Sequence, residues 1–109
     1  MAGLVPAIHG GDHRSMGGYI YILTNKPSGI LYVGVTSDLV RRVAQHRAGT
    51  IQGFTKRYGL KRLVYFEVYD DIRTAIQREH NMKHWSRTWK VRLILASNSK
   101  WNDLFETLI

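Results

Sequence analysis

The sequence predicts a small α+β domain: a three-stranded antiparallel sheet flanked by helices, in the order β-β-α-β-α-α. Three observations carry this. Two β-branched and aromatic runs, Tyr19 to Leu23 and Ile30 to Val35, are separated by a Lys-Pro-Ser-Gly turn signal, which makes a hairpin. A third run, Leu63 to Tyr69, alternates in the manner of a strand. The segments between and after these runs carry apolar residues at helical spacing. With 109 residues there is room for one core, and 44% hydrophobic against 22% charged residues marks a chain that folds.

Met1 to Gly18 holds five Gly and Pro6 with few periodic apolar positions. Residues 1–17 therefore read as a flexible N-terminal extension before a domain over residues 18–109, with Met16 as an alternative start. Ala2 to Ile8 is too short and Pro-interrupted for a secretory signal. In the first strand Tyr19, Tyr21 and Leu23 share a face; in the second, Tyr32 and Gly34 do. A suitable hairpin register brings Tyr21 and Tyr32 together. Thr36-Ser37-Asp38 offers N-cap chemistry for a helix to Ala48, with a stripe of Leu39, Val40, Val43 and Ala44, and Gly49 ends it. Thr50 to Gly59 is a polar connection with room for a short helix.

Alternation places Val64, Phe66 and Val68 on one face of the third strand, and Leu63, Tyr65, Glu67 and Tyr69 on the other. Asp70-Asp71 caps a helix to about Trp85, with a stripe of Ile72, Ala75, Ile76, Met82 and Trp85. Another helical stretch runs from Arg87 to about Ala96 and carries Trp89, Val91, Leu93, Ile94 and Leu95. Trp101, Leu104, Phe105 and Leu108 follow at helical spacing, so the tail is expected to dock on the domain.

Sixteen Lys and Arg against eight Asp and Glu give a net charge of +8. In so small a domain this favours a polyanionic partner, nucleic acid or an acidic membrane surface. Thirteen of the cations and four of the acids lie between Arg41 and Arg92, a local excess of nine. Lys56, Arg57, Lys61, Arg62, Lys83 and Lys90 are candidate phosphate contacts, although a solvated position is the ordinary reading for any one of them. The basic helices also carry Trp and Leu needed for a core, so a membrane surface fits poorly. Trp85 and Trp89 are expected in that core rather than stacked on bases. Cys is absent, which excludes disulfides and thiol chemistry. No apolar run reaches the ~18–20 residues that span a bilayer. A cytoplasmic monomer is the default expectation.

Three polar features stand where packing alone does not put them. Glu79 falls on the apolar side of its helix, seven residues after Ile72 and three before Met82. It either pairs with Lys83 at i+4 or holds a divalent cation through oxygen ligands. Arg42 and His46, four apart, share a helix face suited to phosphate binding and proton transfer. A His near a helix C-terminus is equally favoured by the helix dipole. The strand tyrosines are ordinary half-buried residues, or phenols whose pKa is lowered by a nearby cation. Gly34 lacks a side chain and permits a close approach by backbone or phosphate.

Tyr19-Ile20-Tyr21, a ten-residue gap and Tyr32-Val33-Gly34 resemble the paired signature of the GIY-YIG nuclease superfamily. The likeness continues through Thr36, Asp38-Leu39, Arg41-Arg42, His46, Leu63-Val64-Tyr65, Ala75, Arg78-Glu79, Lys83, Trp85, Lys90 and Leu93-Ile94. It covers roughly Gly18 to Trp101 and looks closest to small bacterial members that resemble the N-terminal nuclease domain of the excision-repair excinuclease. The resemblance implies cleavage of a DNA phosphodiester with one Mg²⁺ or Mn²⁺, structure-guided or weakly sequence-specific, as in repair or recombination. It implies Tyr21 as general base, alone or with Tyr32, Arg42 as stabiliser of phosphorane charge, His46 as water-positioning or relay group, and Glu79 as metal ligand. RNA as substrate and a non-catalytic binding module are the alternatives. The chain departs from the pattern at Tyr19, where the motif has Gly, and at Val35, where the repair branch tends to have Lys. Asn98 is a candidate for an Asn of the C-terminal metal region, without a definite place.

Overall fold

The structure, a computed structural model, describes residues 17–109. The extension expected over residues 1–17, and Met16 as an alternative start, lie outside the described residues except for Gly17. The elements are β1 (Gly18–Thr24), β2 (Leu31–Thr36), α1 (Leu39–Ala48), α2 (Phe54–Tyr58), β3 (Arg62–Tyr69), α3 (Ile72–Lys83) and α4 (Arg87–Ser97), followed by a 3-10 turn at Phe105–Leu108. The expected order holds, with the short helix α2 added between α1 and β3.

The sheet order is β2-β1-β3, antiparallel throughout. β1 is thus central and covered on both faces, which is why its sequence is apolar at nearly every position. Ile20 and Ile22 face α3 and α4, in a core with Val33, Val64, Met82 and Ile94. Tyr21 and Leu23 face α1 and the C-terminal tail, in a core with Leu39, Val43, Leu60 and Leu63. The tail docks there as expected, through Leu104, Phe105 and Leu108. It is not one helix, because Trp101 adopts a left-handed backbone with φ 58°. Leu104 N–H instead donates to the Leu63 carbonyl at 2.7 Å, and Asp103 pairs with Arg47 at 2.6 Å.

Strict alternation fails in β3. Ile22 pairs with Tyr65 and Leu23 with Leu63, so Val64 is an extra residue at a register shift. The shift puts Leu63 and Phe66 on the α1 side, and Val64, Tyr65 and Tyr69 on the α3 side. The helical stripes are narrower than expected. α1 buries Leu39, Val43 and His46, leaving Val40 and Ala44 exposed. α3 buries Ala75 and Met82, leaving Ile76 49% exposed, and α4 leaves Trp89 and Leu95 exposed. A three-stranded sheet covers only one line of residues on each helix, so positions flanking that line face water. α3 also stops at Lys83, two residues before Trp85. Asp71 caps its start by accepting from the Arg73 N–H at 2.9 Å.

Candidate active site

The α1 face of the β1–β2 hairpin places two phenols side by side. Tyr21 pairs with Gly34 and Leu23 with Tyr32, so both tyrosines project from the same face. Their ring centroids are 6.3 Å apart. A Cβ on Gly34 would run into the Tyr21 ring, so the space at Gly34 admits that ring rather than a phosphate. This corrects the expectation for Gly34. Tyr19 lies half-buried on the same side, while Ile20 and Val33 belong to the opposite core.

α1 contributes the imidazole. His46 follows Leu39 and Val43 along the helix line that faces the sheet, and is 4% exposed. Its Nε2 is 3.0 Å from the Tyr21 hydroxyl and its Nδ1 2.9 Å from Thr55 Oγ1. A neutral imidazole has one donor and one acceptor, so the chain Tyr21–His46–Thr55 carries a single hydrogen-bond direction. Burial, with the Arg42 charge beside it, lowers the imidazole from 6.5 to about 4, so it is neutral near pH 7. This placement goes beyond the favourable helix dipole. Tyr32 packs edge-on to His46 at 5.8 Å and stacks with Phe54 at 6.4 Å.

Nothing in the sequence singles out Thr55. Helix α2 presents it, starting at Gly53, whose φ of 115° is strained for any side-chain-bearing residue. Only the Gly punctuation of that connection hints at a built turn.

The charges of Arg42 and Glu79 both act on the same hydroxyl. Burial drives the Tyr21 pKa well above the ordinary tyrosine range, Tyr32 and Glu79 add to the rise, and Arg42 opposes it. The lowered phenol pKa considered from the sequence is therefore absent in the unliganded protein, because Arg42 is the one cation acting there and burial outweighs it. Arg42 is half-buried, and its guanidinium makes no hydrogen bond or ion pair with any described residue. Among the described residues that group is uncommitted.

Glu79 is 13% exposed and pairs with Lys83 Nζ at 2.6 Å, the i+4 contact read from its spacing. Lys83 Nζ also lies 6.0 Å from the Tyr32 ring centroid. No cluster of three or more His, Cys, Asp or Glu among the described residues is arranged to hold a metal. A single carboxylate beside two phenols instead fits a hard, water-rich cation such as Mg²⁺ or Mn²⁺, which takes one or two carboxylates plus substrate phosphate. Lys83 must then yield the carboxylate.

The other basic residues divide. Lys56 and Arg57 are exposed on α2, and Lys61 is exposed just before β3. Arg62 is committed, donating to the Trp101 carbonyl at 3.0 Å. Lys90 is half-buried, and burial followed by the Lys83 charge lowers its pKa. Asn98 is a structural joint: its amide donates to the Val64 and Asn102 carbonyls and its oxygen accepts from the Asn102 N–H. No helix among the described residues is long and apolar enough to cross a membrane.

The GIY-YIG catalytic-domain family model matches residues 17–92. The chain belongs to the GIY-YIG family, whose domain is generally a nuclease fold acting on nucleic acid. Within it the chain is similar to the small single-domain UPF0213 proteins. It is 37% identical to one from Clostridium perfringens over 82 residues, covering 75% of this chain and 87% of that one. It is 40% identical to one from Natronomonas pharaonis over 76 residues, covering 70% of this chain and 88% of that one. The solution NMR structure of the Bacillus halodurans UPF0213 protein superposes with a TM-score of 0.51 at 31% identity, covering 81% of this chain and 93% of that one.

Proposed function

We propose that the protein is a metal-dependent endonuclease that hydrolyses DNA phosphodiesters, guided by structure or only weakly by sequence. What supports this reading is the Tyr21–Tyr32 pair, with the Tyr21 hydroxyl hydrogen-bonded to a neutral imidazole and under the charges of Arg42 and Glu79. Family membership makes nucleic acid the expected substrate.

In this reading Arg42, uncommitted among the described residues, binds the scissile phosphate and meets the negative charge that grows on it. Glu79, freed from Lys83, would hold one Mg²⁺ or Mn²⁺. When bound, that ion supplies positive charge to the phosphate and leaving oxygen. Tyr21, with Tyr32 beside it, takes a proton from the attacking water as its own proton passes to His46 Nε2. Thr55 accepts from Nδ1–H and fixes the tautomer that leaves Nε2 free to accept. The released Lys83, with Lys90, Lys56, Arg57 and Lys61, contacts neighbouring phosphates, which carry no sequence information. The reading extends to a role in DNA repair or recombination, where such cleavage is used.

The experiment is cleavage of supercoiled, branched and single-stranded DNA, with RNA in parallel, by the full chain in Mg²⁺ or Mn²⁺. Cleavage is expected with the wild type and not with Glu79→Ala or Arg42→Ala. One observation favours a non-catalytic binding module instead, namely the closed Glu79–Lys83 pair. Intact substrates under both metals, with salt-dependent binding indifferent to Glu79→Ala, would establish that second reading. Cleavage confined to RNA would change the substrate but keep the site.

A further inference from the structure

One surface outside the candidate site pairs aromatic exposure with positive charge. Trp89 is 58% exposed on α4, although a core lies directly beneath that helix. Its ring lies 6.3 Å from that of Trp85, tilted by 57°. The two indoles and Ser86 line an open apolar recess. One of the two indoles is held in place. The Arg78 guanidinium sits 4.8 Å from the Trp85 ring centroid and is clamped by the Glu67 carboxylate at 3.0 and 2.9 Å. Glu67 is 3% exposed, so the clamp is anchored in the core. On the outer side Arg92 lies 5.6 Å from the Trp89 ring centroid. Lys83 and Lys90 flank the recess in sequence, and Lys83 touches Glu79.

An apolar recess with Arg92 beside one indole and Lys83 and Lys90 close by in sequence complements a ligand with a planar apolar face and an anionic backbone. Paired bases are stacked within a duplex and offer a protein surface mainly their phosphates, whereas an unpaired base offers its face. We propose that Trp85 and Trp89 form a stacking platform for one unpaired nucleobase close to the scissile phosphate. The inference rests on the nuclease reading and narrows its substrate class: the strand that is cut is unpaired, or opens, beside the cleaved bond. Arg78 positions the platform from below, and Lys90 and Arg92 hold the flanking phosphates. Trp89 carries the stacking, since its indole is the more exposed.

The test is fluorescence anisotropy of labelled DNA with the full chain in EDTA, where cleavage does not interfere. One probe is a blunt duplex and the other the same duplex with a short unpaired tail. Wild type is expected to bind the tailed probe several-fold more tightly. Trp89→Ala should weaken tailed-probe binding about five- to hundredfold, leave blunt-duplex binding within about twofold, and recover in Trp89→Phe. Equal affinity of wild type and Trp89→Ala for the tailed probe overturns the platform, and if Mg²⁺-dependent cleavage persists, the nuclease reading stands without it. No binding to either probe overturns both. A wild-type dimer in sedimentation that Trp89→Ala dissolves would make the recess an interface between copies and overturn the proposal.

Discussion

The two faces of the sheet bury polar groups in opposite ways. On the α3 face, Glu67 accepts from the Tyr65 and Tyr69 hydroxyls and from both forks of Arg78. Every strong group there has a partner, and the charges cancel locally. On the α1 face, Tyr21, His46 and Thr55 form a neutral chain, while the Arg42 guanidinium beside them has no protein partner among the described residues. The first arrangement is complete without a ligand. The second leaves positive charge and a proton path open, which is what a site for an anionic substrate needs.

The largest expected effect breaks the closed face. Arg78→Ala leaves Glu67 buried without its cation, and removing one partner of such a pair costs about 3–5 kcal/mol. Urea denaturation of the two proteins measures it. A loss below about 1 kcal/mol would mean that the face is not held by this network.

The open face should respond in the reverse sense. Arg42→Ala removes a half-buried cation that has no partner among the described residues, so stability should stay within about 0.5 kcal/mol of wild type. Cleavage should fall about 10²- to 10³-fold, the usual effect of losing one donor to a transition-state charge. Denaturation and a plasmid-nicking assay on one preparation decide it. A stability loss matching that of Arg78→Ala, with nicking unchanged, would erase the distinction between the faces.

This asymmetry is only partly legible in the sequence. The three strands and their hairpin are, because alternation and a Pro-Ser-Gly turn are local signals. Periodicity offers the Tyr21–Tyr32 proximity, given a suitable register, and the Glu79–Lys83 pair as one of two readings of Glu79. The bulge at Val64 is not legible, because an extra residue is defined only against the strand it pairs with. Even without it, Glu67 reads on the same face as Tyr65 and Tyr69, which hints at a buried acid needing partners. Arg78 stands out in the sequence only as part of a family pattern. Thr55 has no periodic signal at all, since a five-residue helix between glycines has no stripe to read. Trp89 reads as core in the sequence and is exposed in the fold, because helical spacing reports phase but not how wide a sheet the helix covers.

A smaller effect examines the proton path. Thr55→Val keeps the shape of the side chain and removes the partner of His46 Nδ1. Leaving that ring nitrogen buried and unpaired should cost about 1–3 kcal/mol. Thr55→Ser should restore most of this loss, and thermal melting of the two variants reads the difference. If valine is tolerated as well as serine, Thr55 fills space and does not orient the imidazole.

The smallest effect separates the faces by pH. Burial, aided by Arg42, lowers His46 from 6.5 to about 4 in the folded protein. Below pH 6.5 the unfolded chain binds a proton on this residue that the folded chain does not, so stability declines as pH falls from about 6.5 toward 4. Linkage sets the decline between pH 7.5 and 5.5 at about 1 kcal/mol. Glu67 behaves differently: burial works to raise its carboxyl, but hydrogen bonds from Arg78, Tyr65 and Tyr69 outweigh that and hold it below 4.5. Its contribution is present above 4.5 and is lost only in stronger acid, as pH falls through its folded value. The open face should therefore weaken first on acidification and the closed face later. Melting of wild type and His46→Gln at pH 7.5 and 5.5 isolates the first step, because glutamine does not titrate. His46→Gln should be less stable at pH 7.5 yet show the shallower fall to pH 5.5. Equal slopes would mean that the imidazole is solvated enough to take up its proton in the folded state, and Tyr21 would then face a cation rather than a proton acceptor.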